Sequence, residues 1–245
     1  MELPISFFLD YAWNPERIGA DDIGTYTEQW CAAQFGATNA KEIAGILSRY
    51  AKYASRRKPE LLDASTFSIP HYDEAARVNR EYSELRMQAE KIYSSLPAQY
   101  KDAYFQLVLH PVKALANLNE LYYTVALNRE AWKNRYSIAN TYADRAKELY
   151  RNDSLITLEY HHLNNGKWNH LMDQTHIGYT YWQQPAVQKM PDVYYLPADS
   201  VQEEFPLPVS DEPAAQASHN TTENSFVERE HVVSIEADHF TRAVN

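Results

Sequence analysis

The most constraining feature of the chain is a series of capped, amphipathic stretches running from Thr25 to Gly166. Thr25-Tyr-Thr-Glu28 is a capping box, in which Thr25 takes a backbone donor and Glu28 reaches back. A helix is expected to follow through Trp30 and Phe35 and to stop at Gly36. Asn39-Ala-Lys-Glu42 repeats the signal, with Ile43, Ile46, Leu47, Tyr50 and Tyr53 on one stripe before Pro59 ends it. After a connection from Leu61 to Pro70, a third helix is predicted over Asp73 to Ser95. Its inward face carries Ala76, Tyr82, Leu85, Ala89 and Ile92, and its outer face carries Arg77, Glu81, Glu84 and Lys91.

Pro97 marks the start of a longer pattern, Ala98 to Asn134. Pro111 interrupts it by removing a bond to the Leu107 carbonyl, so a kink or break is expected there. Ser137 to Tyr150 and Asp153 to Leu163 complete six helices, the last closed by Asn164-Asn-Gly166. Short loops between such stripes make an antiparallel helical bundle, and no fixed repeat signature recurs. The 19 Tyr against 6 Gly agree, because turn-rich β architecture needs glycine while helical packing surfaces accept large rings with a wet edge.

The ends of the chain read differently. Ile5-Ser-Phe-Phe-Leu9 is an unalternating apolar run bounded by Pro4 and Asn14-Pro15, the pattern of a strand buried on both faces. Such a strand needs neighbours, so the expectation is the last strand of a larger domain, with Asp10, Trp13 and Asn14 at its C-terminal end. An N-terminal arm packed on the helices is the alternative. From Pro197 to Asn224 the composition is that of a linker, and His231-Val-Val-Ser-Ile-Glu-Ala237 alternates like a first strand.

Formal charge is −10, which disfavours phosphate-backbone binding, so no nucleic-acid partner is expected. A single cysteine, Cys31, gives no disulfide framework and reads as a buried inert thiol. The apolar runs are too short for a membrane span, and Met1-Glu-Leu-Pro4 has no basic leader region.

Gly166-Lys-Trp-Asn-His-Leu-Met-Asp-Gln-Thr-His-Ile-Gly-Tyr-Thr-Tyr-Trp-Gln-Gln-Pro185 is too polar for a core and too aromatic for a plain loop. Flat rings beside amides and hydroxyls suit a sugar, whose C–H faces stack while its hydroxyls need donors and acceptors. Trp13, Asn14, His170, Asp173, His176, Tyr179 and Trp182 are the candidates for substrate contact or for docking another domain. His161, His162, His170 and His176 lack metal-site spacing, so neither metal nor cofactor is expected.

This segment resembles a stretch of glycoside hydrolase family 115. So, in order, do Pro4-Ile-Ser-Phe-Phe-Leu-Asp-Tyr-Ala-Trp-Asn-Pro15, Lys58-Pro-Glu-Leu-Leu62 and Phe105-Gln-Leu-Val-Leu-His-Pro-Val-Lys-Ala114. The resemblance implies a xylan α-1,2-glucuronidase that removes glucuronic acid or its 4-O-methyl ether by inverting hydrolysis, in a secreted or periplasmic setting. It also implies a mainly α partial chain: the last strand and exit loop of a TIM-type barrel (1–19), a helical bundle (20–192), a linker (193–229) and the start of a β-sandwich (230–245). The partners so implied are a xylan-derived carbohydrate and the barrel of the same polypeptide, with a homodimer compatible. Inverting hydrolysis needs an acid and a base roughly 6.5–9.5 Å apart. Only Asp10 is placed for such a role, and a turn acceptor is its bland alternative. The rival class is a non-catalytic helical module that binds a protein through its Trp/Tyr surface.

Overall fold

The computed structural model describes residues 2–180 and 183–200, and the strand expected at 231–237 lies outside them. The described chain is mainly helical: α1 (Glu2–Trp13), α2 (Ile23–Phe35), α3 (Ala40–Ala54), α4 (Glu74–Ser95), α5 (Ala98–Tyr104), α6 (His110–Lys133) and α7 (Ile138–Gly166).

The first correction is at the N-terminus, where the expected strand is helix α1. A strand must find ladder partners, and none of the described residues offers one, whereas a helix satisfies its backbone from within. Helical spacing also explains the contacts made. Ser6, Phe7 and Asp10 come to one side and meet α2: Trp30 Nε1 donates to Ser6 Oγ at 3.1 Å, and Tyr26 Oη donates to Asp10 Oδ2 at 2.7 Å. Phe7 meets Tyr26 edge-on at 5.3 Å between centroids. None of the α1 side chains is buried, and Phe8, Leu9 and Trp13 are 67, 60 and 91% exposed.

Thr25 does not cap α2, which begins two residues earlier at Ile23, but Gly36 ends it as expected with φ +85°. Burial follows the α3 stripe through Ile43 and Ile46, each contributing about 1.5–3 kcal/mol by leaving water. Along α4 the buried set is Ala75, Val78, Tyr82, Leu85 and Ala89, so Ala75 rather than Ala76 faces inward. Cys31 is fully buried, and burial first, then the Glu28 carboxylate, pushes its thiol up to about 12.

Helix α6 is the axis of the fold. It buries residues on every side, including Asn117, Asn119, Thr124 and Asn128, as a helix enclosed by others must. Its buried amides are satisfied: Asn117 Nδ2 donates to the Leu149 carbonyl at 3.0 Å and Asn119 Nδ2 to the Leu115 carbonyl at 2.8 Å. The long pattern is divided into α5 and α6, with Pro111 in the first turn of α6 where its missing donor is least costly. A π-helical turn, Phe105–Leu109, joins α5 to α6 and takes up the missing donor, with the His110 N–H bonded to the Phe105 carbonyl.

Two expected helices are one. α7 runs unbroken past Asp153 and leaves helical geometry only at Leu163, with Asn164 and Asn165 left-handed. Ala139, Ala143 and Ala146 are fully buried, small enough for α7 to lie close against α6. After α7 the chain turns back, and residues 167–180 and 183–196 lie along the bundle. The linker expected from residue 193 therefore has its first residues fixed, with Leu196 only 8% exposed.

Candidate functional site

The candidates fall into two groups. At the N-terminal end, α1 and α2 frame an open cleft of about 540 Å³. Asp10, Arg17, Asp22, Tyr26, Gln29 and Trp30 line it, two carboxylates and one guanidinium among rings and an amide. Asp10 accepts from Tyr26, and Asp22 Oδ2 accepts from the Gly19 N–H at 2.9 Å, so each aspartate also has a local structural task. Asn14 is a turn cap, its Oδ1 taking the Glu16 N–H at 3.1 Å at the head of the short 3₁₀ turn Pro15–Arg17. Trp13 projects beside it into solvent.

The second group lies on the segment after α7. Sequence reasoning gave His176 without its partner, which is Asp153. The carboxylate sits in the middle of α7, 6% exposed, with Oδ2 3.0 Å from His176 Nδ1. Gln188 completes the unit: its Nε2 donates to Asp153 Oδ2 at 2.6 Å, while its Oε1 accepts from the backbone of His176 and Ile177 at 2.8 and 2.7 Å. The Asp153 hydrogen bond raises the His176 pKa above the ordinary histidine value against the opposing effect of burial. A sequence signal existed, since Asp153 falls on the stripe Ala143, Ala146, Leu149, Ile156 and Tyr160, where a carboxylate is out of place without a partner.

His170 and Asp173 pair at 2.7 Å on the surface, with side chains 75 and 56% exposed. His161 Nε2 accepts the Met172 N–H at 3.2 Å and lies 3.5 Å from Asp173 Oδ1, which places the segment over the end of α7. Tyr179 Oη accepts from Gln174 Nε2 at 3.0 Å. Trp168 and Met172 pack against the core cluster that Trp30 also joins, a physical link from this segment toward the α1–α2 cleft. Trp182 lies outside the described residues. Among the described residues no hydrogen bond or ion pair joins the two groups, and no three metal-ligating side chains converge.

His170, Asp173 and Tyr179 thus offer polar groups to solvent, while His176 is tied to the α7 interior. The α1–α2 cleft can do different work. Its rings can bear on a sugar face, its guanidinium suits a carboxylate, and Asp10 can hold a hydroxyl.

Residues 1–61, which contain that whole cleft, match the sequence profile of glycosyl hydrolase family 115. No curated protein matches. Among 11 solved chains that do is one described as a family GH115 4-O-methyl-α-glucuronidase with specificity for decorated arabinogalactans. The likeness has a TM-score of 0.59 at 26% identity and covers 70% of this chain but 23% of the other. No helix among the described residues is long and apolar enough to cross a membrane. By the sequence of its first 61 residues and by the arrangement of its helices, the chain is similar to glycosyl hydrolase family 115, and it spans 23% of the length of that glucuronidase.

Proposed function

We propose that the chain is the helical part of a glycoside hydrolase that removes glucuronic acid, or its 4-O-methyl ether, from glucuronoxylan. In this reading it supports the active site, and the main catalytic acid and base come from a barrel domain of the same polypeptide. The observation that carries the reading is that the α1–α2 cleft, with Asp10, Arg17, Tyr26 and Trp30, falls entirely within the residues that match the family. Arg17 supplies the planar donor that a uronate carboxylate calls for, and Trp30 and Tyr26 supply ring faces. Asp10 and Asp22 are both engaged locally, which suits positioning of a sugar better than proton transfer.

The exposed Ile5, Phe8, Leu9, Tyr11 and Trp13 of α1 form the surface assigned to the barrel. Apolar side chains concentrated on one short helix mark an interaction face. The same face is what favours the second reading, a helical module that binds a protein partner.

A graft separates the two. The chain replaces the matching helical region of the solved 4-O-methyl-α-glucuronidase, and release of 4-O-methylglucuronic acid is measured from glucuronoxylan and from decorated arabinogalactan. The grafted enzyme should be active while the 245-residue chain alone is silent. A folded but inactive graft would favour the interaction module, and activity of the isolated chain would overturn the supporting role.

A further inference from the structure

We propose that the groove between α4 and α7 binds the carboxylate of an acidic saccharide through Arg86, Arg145 and Arg151. The groove holds about 420 Å³ and is walled by these arginines with Glu148, Asn152 and Leu155. Beneath it, Glu120 of α6 accepts from Arg145 Nε at 3.2 Å and lies 3.9 Å from Arg86 Nη1. Arg145 Nη1 also meets Glu148 at 2.7 Å. Arg151 is exposed and makes no ion pair among the described residues.

The charges around the groove do not balance. Three guanidiniums face two carboxylates, in a chain whose net charge is −10. Glu120 holds the Nε and Nη2 side of Arg145, so Arg86 and Arg151 carry the excess charge, and their guanidiniums offer a planar fork that matches a carboxylate. The rest of the lining fits the body of the same ligand. Leu155 is 61% exposed and gives an apolar wall for a ring's C–H face, with Leu149 buried at the base. Asn152 is held in orientation by its bond to Asn117 at 2.8 Å, so its amide is fixed at the rim for a hydroxyl.

The excess positive charge stands on the geometry alone, whereas the choice of a uronate rests on the glucuronidase reading above. The groove lies outside residues 1–61, so its failure and that of the active-site reading can be told apart. A uronate here would hold a second stretch of a decorated chain away from the reacting bond.

The test is calorimetric and NMR titration of the 245-residue chain with xylotriose bearing one 4-O-methylglucuronic acid, neutral xylotriose, free glucuronate and inorganic phosphate. The acidic tetrasaccharide and glucuronate should bind and the neutral sugar should not. Arg151→Glu and Arg86→Ala should each weaken binding about tenfold while circular dichroism and Tm stay unchanged. The proposal falls if neutral xylotriose binds as well as the acidic one, if Arg151→Glu leaves affinity intact, or if phosphate binds as tightly as glucuronate. Activity of the grafted enzyme is a separate readout, and it can survive any of these results.

Discussion

Asp153 on α7 and His176 on the returning segment face each other at 3.0 Å, and the carboxylate they share with Gln188 is 6% exposed. A carboxylate at that depth is tolerable only while it is paired and hydrogen-bonded. The pair therefore pins His176, Ile177 and Gln188 to the middle of α7. Removing the charge should loosen that segment before it unfolds the bundle. Asp153→Asn is expected to cost roughly 1–3 kcal/mol, read by denaturant melts, with faster amide exchange at His176 and Ile177. Unchanged exchange at those amides would show that the pair does not hold the segment.

The same contact gives a pH dependence with a definite sign. His176 has a raised folded pKa, so its contribution is complete below the unfolded histidine value of about 6.5 and is lost as pH rises through the higher folded value. Asp153, His110 and the Met172 carbonyl are among the groups that face it. Tm should fall as pH rises from neutrality, and His176→Gln should flatten that limb of the profile.

His110 has the opposite sign. It is 9% exposed, its Nδ1 has no hydrogen-bond partner among the described residues, and its ring lies 4.6 Å from that of Tyr160. Burial, followed by the charges of Lys113 and His176, depresses its pKa to about 4. Stability present above about pH 6.5 is lost as pH falls through 4, by about 3 kcal/mol from the size of the shift. His110→Leu should remove most of the acid-side loss of Tm between those values.

Helical stripes were legible because they repeat a period many times over. Ile43 and Ile46, or Tyr82, Leu85 and Ala89, fix a face whichever residue starts the helix. Ile5–Leu9 carried no such redundancy. Five apolar-rich residues fit a buried strand or a helix equally, and the deciding contacts, Ser6 to Trp30 and Asp10 to Tyr26, come from 24 and 16 residues away. Pro111 was legible as an interruption, but the π turn before it, which gives the His110 N–H to the Phe105 carbonyl, was not. His170, Asp173, His176 and Tyr179 were legible as a polar cluster, but which of them points outward was set by Asp153, Gln188 and His161. Asp153 itself was hidden by its resemblance to a helix cap.

Gly178 marks where the returning segment bends. Its φ of +94° is unfavourable for an L side chain, and an added Cβ would meet Lys189 Cβ at 2.6 Å. The bend is held by the Lys189 N–H bonded to the Ile177 carbonyl at 3.2 Å, with Ile177 fully buried below. Gly178→Ala should cost roughly 1–3 kcal/mol and lower Tm, while a substitution at exposed Gly24, where no atom lies within 4 Å, should have little effect beyond helix propensity.

Two asparagines fasten the last described stretch, and they do so in the manner of a neighbouring strand. Asn128, fully buried on α6, takes the Tyr194 N–H at Oδ1 (2.8 Å) and gives its Nδ2 to the Tyr194 carbonyl (2.9 Å) and the Ala139 carbonyl (2.8 Å). Asn140 on α7 repeats the grip two residues on, taking the Leu196 N–H at 2.8 Å and donating to the Leu196 carbonyl at 3.0 Å. Alternate residues of an extended chain present their backbone groups to the same side, so one amide from each helix satisfies both groups of one residue. Asn128→Ala removes three hydrogen bonds at once, to both backbone groups of Tyr194 and to the Ala139 carbonyl, whereas Asn140→Ala removes two, both to Leu196. The first should therefore cost more, roughly 2–4 kcal/mol against 1–2, and proteolysis after Tyr194 should quicken in both. Equal losses, or a segment as resistant to protease as before, would show that the tilted Trp132–Tyr194 ring contact at 4.8 Å and the burial of Leu196 hold the chain without the amides.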